Sequence, residues 1–225
     1  MSPRLIRRFA TFALLTALTS AVTAAETGKL EVRNATGKIE LTADDLRPIK
    51  FNEAGPVITT FALLSDGKQV TFKATLKEVP NSGKGVLNIY FDTDNNAATG
   101  MQLSSPNPGG FEYAASLYAC ADYGSETSIC LGGSSGEPTR RWAGIKLKHF
   151  EGKSENDGKT TIDPLGMNGW KASARVPITE KIVQGSISYD DLKIKHGQTL
   201  RVLITKYSLF THPEDFFPEI HLKLQ

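Results

Sequence analysis

The chain has 225 residues, 40% of them hydrophobic, with 26 Lys+Arg against 24 Asp+Glu and 2 Cys. That length and apolar content give a single domain an ample core. Charge is nearly balanced, and no basic block or stripe with interleaved aromatics occurs, which excludes a nucleic-acid-binding surface.

Residues 1–25 read as a secretory signal peptide. Arg4, Arg7 and Arg8 form the charged start, Phe9 to Leu18 the apolar run, and Val22-Thr23-Ala24-Ala25 the small-residue cleavage region. The apolar run is too short for a spanning helix, so the expectation is a secreted or periplasmic protein with no membrane span in its mature part. Removing this leader takes away three Arg and no acid, leaving 23 basic side chains against 24 acidic in residues 26–225. Those residues show no internal repeat and no linker, and are expected to form one domain.

Strand signals follow one another along that domain. Leu30–Thr36 and Val57–Leu64 read as strands, and Ser65-Asp66-Gly67-Lys68 as a hairpin turn. In Gln69–Lys77, Val70, Phe72, Ala74 and Leu76 alternate with Thr71, Lys73, Thr75 and Lys77, the pattern of a sheet with one wet face. Leu87, Ile89 and Phe91 alternate in the same way. Phe111–Ala119, Arg141–Lys148, Gly169–Val176, Thr199–Tyr207 and Glu219–Gln225 read as further strands, with the hydrophilic Glu151–Thr161 as a hairpin tip. Ile178–Ile194 is the one region with a helical reading. The fold class predicted is all-β, an antiparallel β-sandwich of jelly-roll type with at most one or two short helices.

The strand ending at Phe91 runs into Asp92-Thr93-Asp94-Asn95-Asn96-Ala97-Ala98-Thr99-Gly100. Asp92, Asp94 and Asn96 place oxygen-bearing side chains at every second position, and a hard cation needs several oxygens in one coordination sphere. The prediction is a Ca²⁺ site at a strand end. An EF-hand is excluded, because Ala97 stands where its Gly belongs, Leu103 where its bidentate Glu belongs, and a strand precedes the loop. The same residues have a second reading as an Asx-rich turn, whose side chains bond their own backbone.

Cys120 and Cys130, the two cysteines, are expected to form one disulfide closing a short loop, worth roughly 2–3 kcal/mol in the chain-entropy model. The four histidines, His149, His196, His212 and His221, lack zincin spacing. Gly132-Gly133-Ser134-Ser135-Gly136 matches a nucleophile elbow in letters only, since Glu137-Pro138 follows where a helix is required. Asp122, Glu126, Glu137 and Asp163 could supply a glycosidase pair, but nothing sets them apart from surface acids. Tyr113, Tyr123, Trp142 and Trp170 are the aromatic candidates for stacking on a sugar, with core packing as the alternative for both tryptophans.

Ile89-Tyr90-Phe91-Asp92-Thr93-Asp94-Asn95-Asn96-Ala97-Ala98-Thr99-Gly100 followed by Gly110-Phe111-Glu112-Tyr113 resembles exported β-sandwich domains of the family 9 carbohydrate-binding modules and their DOMON-type relatives. Gly185–Leu192 and His196–Val202 look like the end of such domains. The resemblance implies a structural Ca²⁺ on Asp92, Asp94, Asn96 and Glu112, the last standing where the family carries Asp. The function expected is an exported, non-catalytic binding domain for a saccharide or cell-surface glycan. The alternatives are an extracytoplasmic module that binds a cell-envelope protein or has a structural role, and, third, a glycoside hydrolase.

Overall fold

A computed structural model describes residues 32–42, 58–78, 84–103, 109–123, 127–129, 140–163, 171–172, 176–177, 181–206 and 218–225. Among them are β1 (Val32–Thr36), β2 (Lys38–Thr42), β3 (Ile58–Ser65), β4 (Gln69–Leu76), β5 (Lys84–Asp92), β6 (Met101–Gln102), β7 (Gly109–Phe111) and β8 (Tyr113–Tyr123). β9 (Thr127–Ile129), β10 (Arg140–Phe150), β11 (Gly158–Asp163), β12 (Lys171–Ala172), β13 (Val176–Pro177) and β14 (Ile182–Ser188) follow. A 3-10 turn at Glu155–Asp157 precedes β11, and a single α-helical turn α1 (Tyr189–Leu192), β15 (Thr199–Lys206) and β16 (Glu219–Lys223) complete the described elements.

The fold is all-β, with a sheet of 8 strands and a second of 4. The larger has the order β12-β11-β10-β8-β5-β15-β16-β1 and the smaller β2-β3-β4-β14, while β6 and β7 form a separate two-stranded ribbon. β1 and β2 touch only at Thr36 and Lys38, so the chain crosses from one sheet to the other at Gly37. Pairing is antiparallel except for β1 with β16 and β11 with β12. The core lies between the sheets and is built by two-residue alternation. Val70, Phe72, Ala74 and Leu76 of β4 meet Leu87, Ile89 and Phe91 of β5, Ala115 and Leu117 of β8, and Leu200, Val202 and Ile204 of β15, all buried.

Two expected elements differ. Most of the helical reading of Ile178–Ile194 is overturned: Ile182–Ser188 is a strand paired with β4, and among the described residues of the stretch only Tyr189–Leu192 is helical. Val183 and Ile187 keep a period of two into the core, and Gly185 lies between them, facing Ile145 of the large sheet. A Cβ there would stand 2.6 Å from Ile145 Cδ1 and 2.9 Å from Phe72 Cε2. The strand expected over Phe111–Ala119 is broken at Glu112, which moves Phe111 to the outer face of the large sheet, against Tyr90 and Met101, while Tyr113 stays in the main core.

Behind α1 a buried polar network ties the last strand to the small sheet. Tyr189 Oη meets Ser65 Oγ and donates to the Gln225 carbonyl at 3.0 Å, and the Gln225 amide donates to Ser65 Oγ at 3.0 Å. Tyr189→Phe removes the hydroxyl and leaves buried partners short of a bond, a cost of about 1–3 kcal/mol. A urea midpoint unchanged from wild type would show that the network contributes nothing.

Candidate metal centre

β5 ends on Asp92, whose side chain points to the outer face of the large sheet and is fully buried. On neighbouring β15, Arg201 stands opposite in register, and its Nε donates to Asp92 Oδ2 at 2.7 Å. The guanidinium also donates to the Gly109 carbonyl and, at 3.4 Å, to that of Gly110, and lies 4.9 Å from the centre of the Phe111 ring. Its remaining nitrogen reaches Glu219 Oε2 at 3.5 Å, and Glu219 Oε1 pairs with His221 Nε2 at 2.9 Å. Burial pushes the Asp92 carboxyl above its ordinary value, although Arg201 and the amides of Asn95 and Asn96 pull the other way.

Antiparallel pairing of Phe91 with Tyr113 brings Glu112 beside Asp92. Asp92, Asp94 and Glu112 each offer a carboxylate oxygen within 4.8 Å of the others. Short bonds fix the three around the loop. The Thr93 amide donates to Glu112 Oε2 at 2.8 Å, the Asn96 amide to Asp94 Oδ1 at 2.9 Å, and Thr99 Oγ1 lies 2.9 Å from Glu112 Oε1 and 3.0 Å from Asp94 Oδ2. Gln198 Nε2 donates to the Thr93 carbonyl from outside the loop. The group carries three negative charges against one arginine, all donors are hard oxygens, and it could hold a metal ion.

Of the residues predicted to bind the cation, Asp92, Asp94 and Glu112 come together. Asn96 lies in the same loop, with Oδ1 accepting the Ala98 amide at 3.1 Å, so the Asx-turn reading of the loop also describes real bonds. Arg201, Thr93, Thr99 and Gln198 are additions. Arg201 alternates with Leu200 and Val202 and therefore reads as a solvent-facing residue; only the register with β5 and the cover of β7 reveal its role.

The aromatic candidates fare differently. Tyr113 and Trp142 are corrected: Tyr113 is a core residue 2% exposed, and Trp142 is 0% exposed, so neither ring offers a face to a ligand. Trp142 packs with Tyr118 and Cys120, its Nε1 donating to Asp122 Oδ1 at 3.0 Å, which also accounts for one of the acids considered for hydrolysis. The Tyr123 side chain and Trp170 lie outside the described residues, as do Cys130, Glu126, Glu137 and His212. Cys120 is not a free thiol. No described helix is long and apolar enough to cross a membrane. No protein-family model, curated protein or solved structure matches the chain.

Three outcomes follow from this geometry. Arg201→Met leaves Asp92 buried without its counter-charge and should cost about 3–5 kcal/mol in urea unfolding; a loss under 1 kcal/mol would mean the carboxylate is effectively solvated. Gly110 has φ +89°, and a Cβ there would lie 2.5 Å from Ala97 Cα and 2.7 Å from the Asn96 oxygen. Gly110→Ala should therefore destabilise the protein by more than about 1 kcal/mol, whereas Gly197→Ala, with nothing within 4 Å of the added carbon, should show backbone strain alone.

The third concerns pH. His149 stacks on Tyr113, ring centres 4.7 Å apart, and burial followed by Lys193 holds its imidazole below the ordinary value of 6.5. The unfolded chain then takes up this proton first as pH falls, so stability is full above about pH 6.5 and declines through the depressed folded value. His149→Gln should flatten that part of the stability–pH curve. An unaltered slope would place the acid sensitivity elsewhere.

Proposed function

We propose that this protein is an exported, non-catalytic binding domain, stabilised by a structural Ca²⁺ on Asp92, Asp94 and Glu112, whose ligand is a saccharide. The observation that carries it is the convergence of three carboxylate oxygens within 4.8 Å at the end of a rigid strand, with one buried arginine to offset them. An all-oxygen set on a loop rich in carbonyl groups suits Ca²⁺, which takes 6–8 oxygens in flexible geometry, better than thiophilic or imidazole-seeking metals. Asn96, at the outer end of the loop, is the fourth ligand in this reading.

Export is supported by the N-terminal charged-then-apolar pattern and by Cys120, a buried cysteine that is not a free thiol; its partner in this reading is Cys130, in a bond that persists outside the cytoplasm. The likeness of the acidic loop and of Gly110–Tyr113 to family 9 carbohydrate-binding modules and DOMON-type domains supports saccharide as the ligand, with Tyr123 and Trp170 as the stacking rings.

Thermal melts test the cation. Ca²⁺ at a hundredfold excess over Kd stabilises by about 2.7 kcal/mol if it binds only the folded state, so Tm should rise by roughly 5–10 °C and fall back with chelator. Asp94→Asn, exposed and therefore cheap to fold, should remove most of that rise. A melt indifferent to both Ca²⁺ and chelator would leave only the Asx turn. For the ligand, a glycan array should give hits that Tyr123→Ala or Trp170→Ala abolishes, and a blank array would remove the saccharide reading.

A further inference from the structure

Asp92 and Arg201 belong to a longer row. Asp92 on β5 stands opposite Arg201 on β15, Arg201 opposite His221 on β16, and His221 opposite Asn34 on β1. Neighbouring strands lie about 4.8 Å apart, so the backbones of His221 and Asp92 are about 10 Å apart across the sheet. Glu219, two residues before His221 and on the same face, joins the row from the side. Its Oε1 meets His221 Nε2 at 2.9 Å and its Oε2 meets Arg201 Nη1 at 3.5 Å. Contacts therefore run unbroken from the imidazole through Glu219 and Arg201 to Asp92. The row is sealed at Asp92, 0% exposed, and open to water at His221, 31% exposed.

Charges in this network do not balance. Asp92, Asp94, Glu112 and Glu219 bring four negative charges and Arg201 one positive, a net of −3 while His221 is neutral. Among the described residues, little else charged faces the imidazole. Its own strand adds Lys223, β15 presents Thr199, Arg201 and Leu203, and β1 presents Val32, Asn34 and Thr36, with Arg33 alternating to the other face beside Ile220. The β6–β7 ribbon over Arg201 has no titratable side chain. A carboxylate only accepts, so Nε2 carries the hydrogen of the neutral ring and an added proton goes to Nδ1. Imidazole gains that charge between about pH 8 and pH 5. Once charged, the ring takes Glu219 as its own partner and repels the guanidinium one strand away. Glu219 then stops drawing on Arg201, whose contact with it is the longer of the two, and Arg201 is left to compensate Asp92 alone.

We propose that His221 makes cation binding at the acidic loop pH-dependent, through Glu219 and Arg201. Neutral, it leaves Arg201 divided between Glu219 and Asp92, so Asp92 keeps its negative charge for the cation. Protonated, it commits Arg201 to Asp92 and the cation is held less tightly. This control acts on the structural Ca²⁺ proposed above and rests on that reading. The direct electrostatic effect has the same sign, because the proton takes the network from −3 to −2 before a divalent ion arrives. Coupling is reciprocal, so a bound cation drives the proton off His221. None of the cation's own ligands has to titrate for this.

Calorimetric titration of the full chain with Ca²⁺ at about pH 8 and about pH 6, both above the ordinary carboxylate values, tests the coupling. Kd should rise roughly three- to tenfold at the lower pH. His221→Gln keeps a neutral donor to Glu219 and should bind with the tight constant at both. His221→Lys carries a fixed charge and should bind with the weak constant at both. His149→Gln touches neither Glu219 nor Arg201 and should keep the wild-type dependence. At about pH 6.5 the heat of binding should vary with the ionisation heat of the buffer, as proton release requires, and His221→Gln should remove most of that variation. A wild-type Kd equal at the two pH values, a dependence that survives His221→Gln, or one that His149→Gln abolishes would overturn the coupling while the cation site stands. No Ca²⁺ binding at either pH, in wild type and both His221 variants, would overturn the cation reading and the coupling together.

Discussion

The ion pair between Asp92 and Arg201 is the constraint on which the described site depends. It places a carboxylate and a guanidinium on neighbouring strands at one register position and buries both. Removing two charges from water costs several kcal/mol per ion, and their attraction offsets this only when the remaining donors and acceptors are also satisfied. Here they are. Arg201 reaches the carbonyls of Gly109 and Gly110, the Phe111 face and Glu219, while Asp92 accepts the Asn96 amide. The pair therefore fastens the β6–β7 ribbon to the sheet and fixes the orientation of the first acid of the cluster.

From that anchor the rest of the site follows. With Asp92 held from behind by Arg201, its other oxygen is presented to the loop. Pairing of β5 with β8 then adds Glu112, and the Asx turn adds Asp94. The turn and the cation reading are thus not rivals in space: the hydrogen bonds that make the turn are those that bring the carboxylates near one another. Three carboxylates so close repel, and the arginine offsets only one of them, so the described residues alone leave the group short of positive charge. A divalent ion would supply the deficit, and its coordination would bind the end of β5, the loop and the start of β8 into one rigid unit.

Much of this was legible in the chain. The two-residue alternation of Val70 to Leu76 and of Leu87 to Phe91 gave the sandwich, because a half-buried strand leaves no other pattern, and Ser65–Lys68 gave the hairpin through residues that tolerate the turn. Asp92 and Asp94 were visible for the same local reason. What escaped was whatever depends on register. Arg201 has the pattern of a solvent-facing residue, and only cover by β7 makes it buried. Tyr113 and Trp142 are aromatic in either role: Tyr113 belongs to the main core, and for Trp142 alternation cannot say whether an outer face is itself covered. Ile182–Ser188 reads as helix or strand until β4 is there to pair with it.

The central claim is that the three carboxylates share one divalent cation. Anomalous scattering from crystals of the full chain grown with Ca²⁺, then exchanged for a lanthanide, tests it most directly. The account predicts one strong peak about 2.3–2.6 Å from oxygens of Asp92, Asp94 and Glu112, with Arg201 still on the far oxygen of Asp92. A peak at another place, or clear density for the loop with no peak among the three acids, would contradict it.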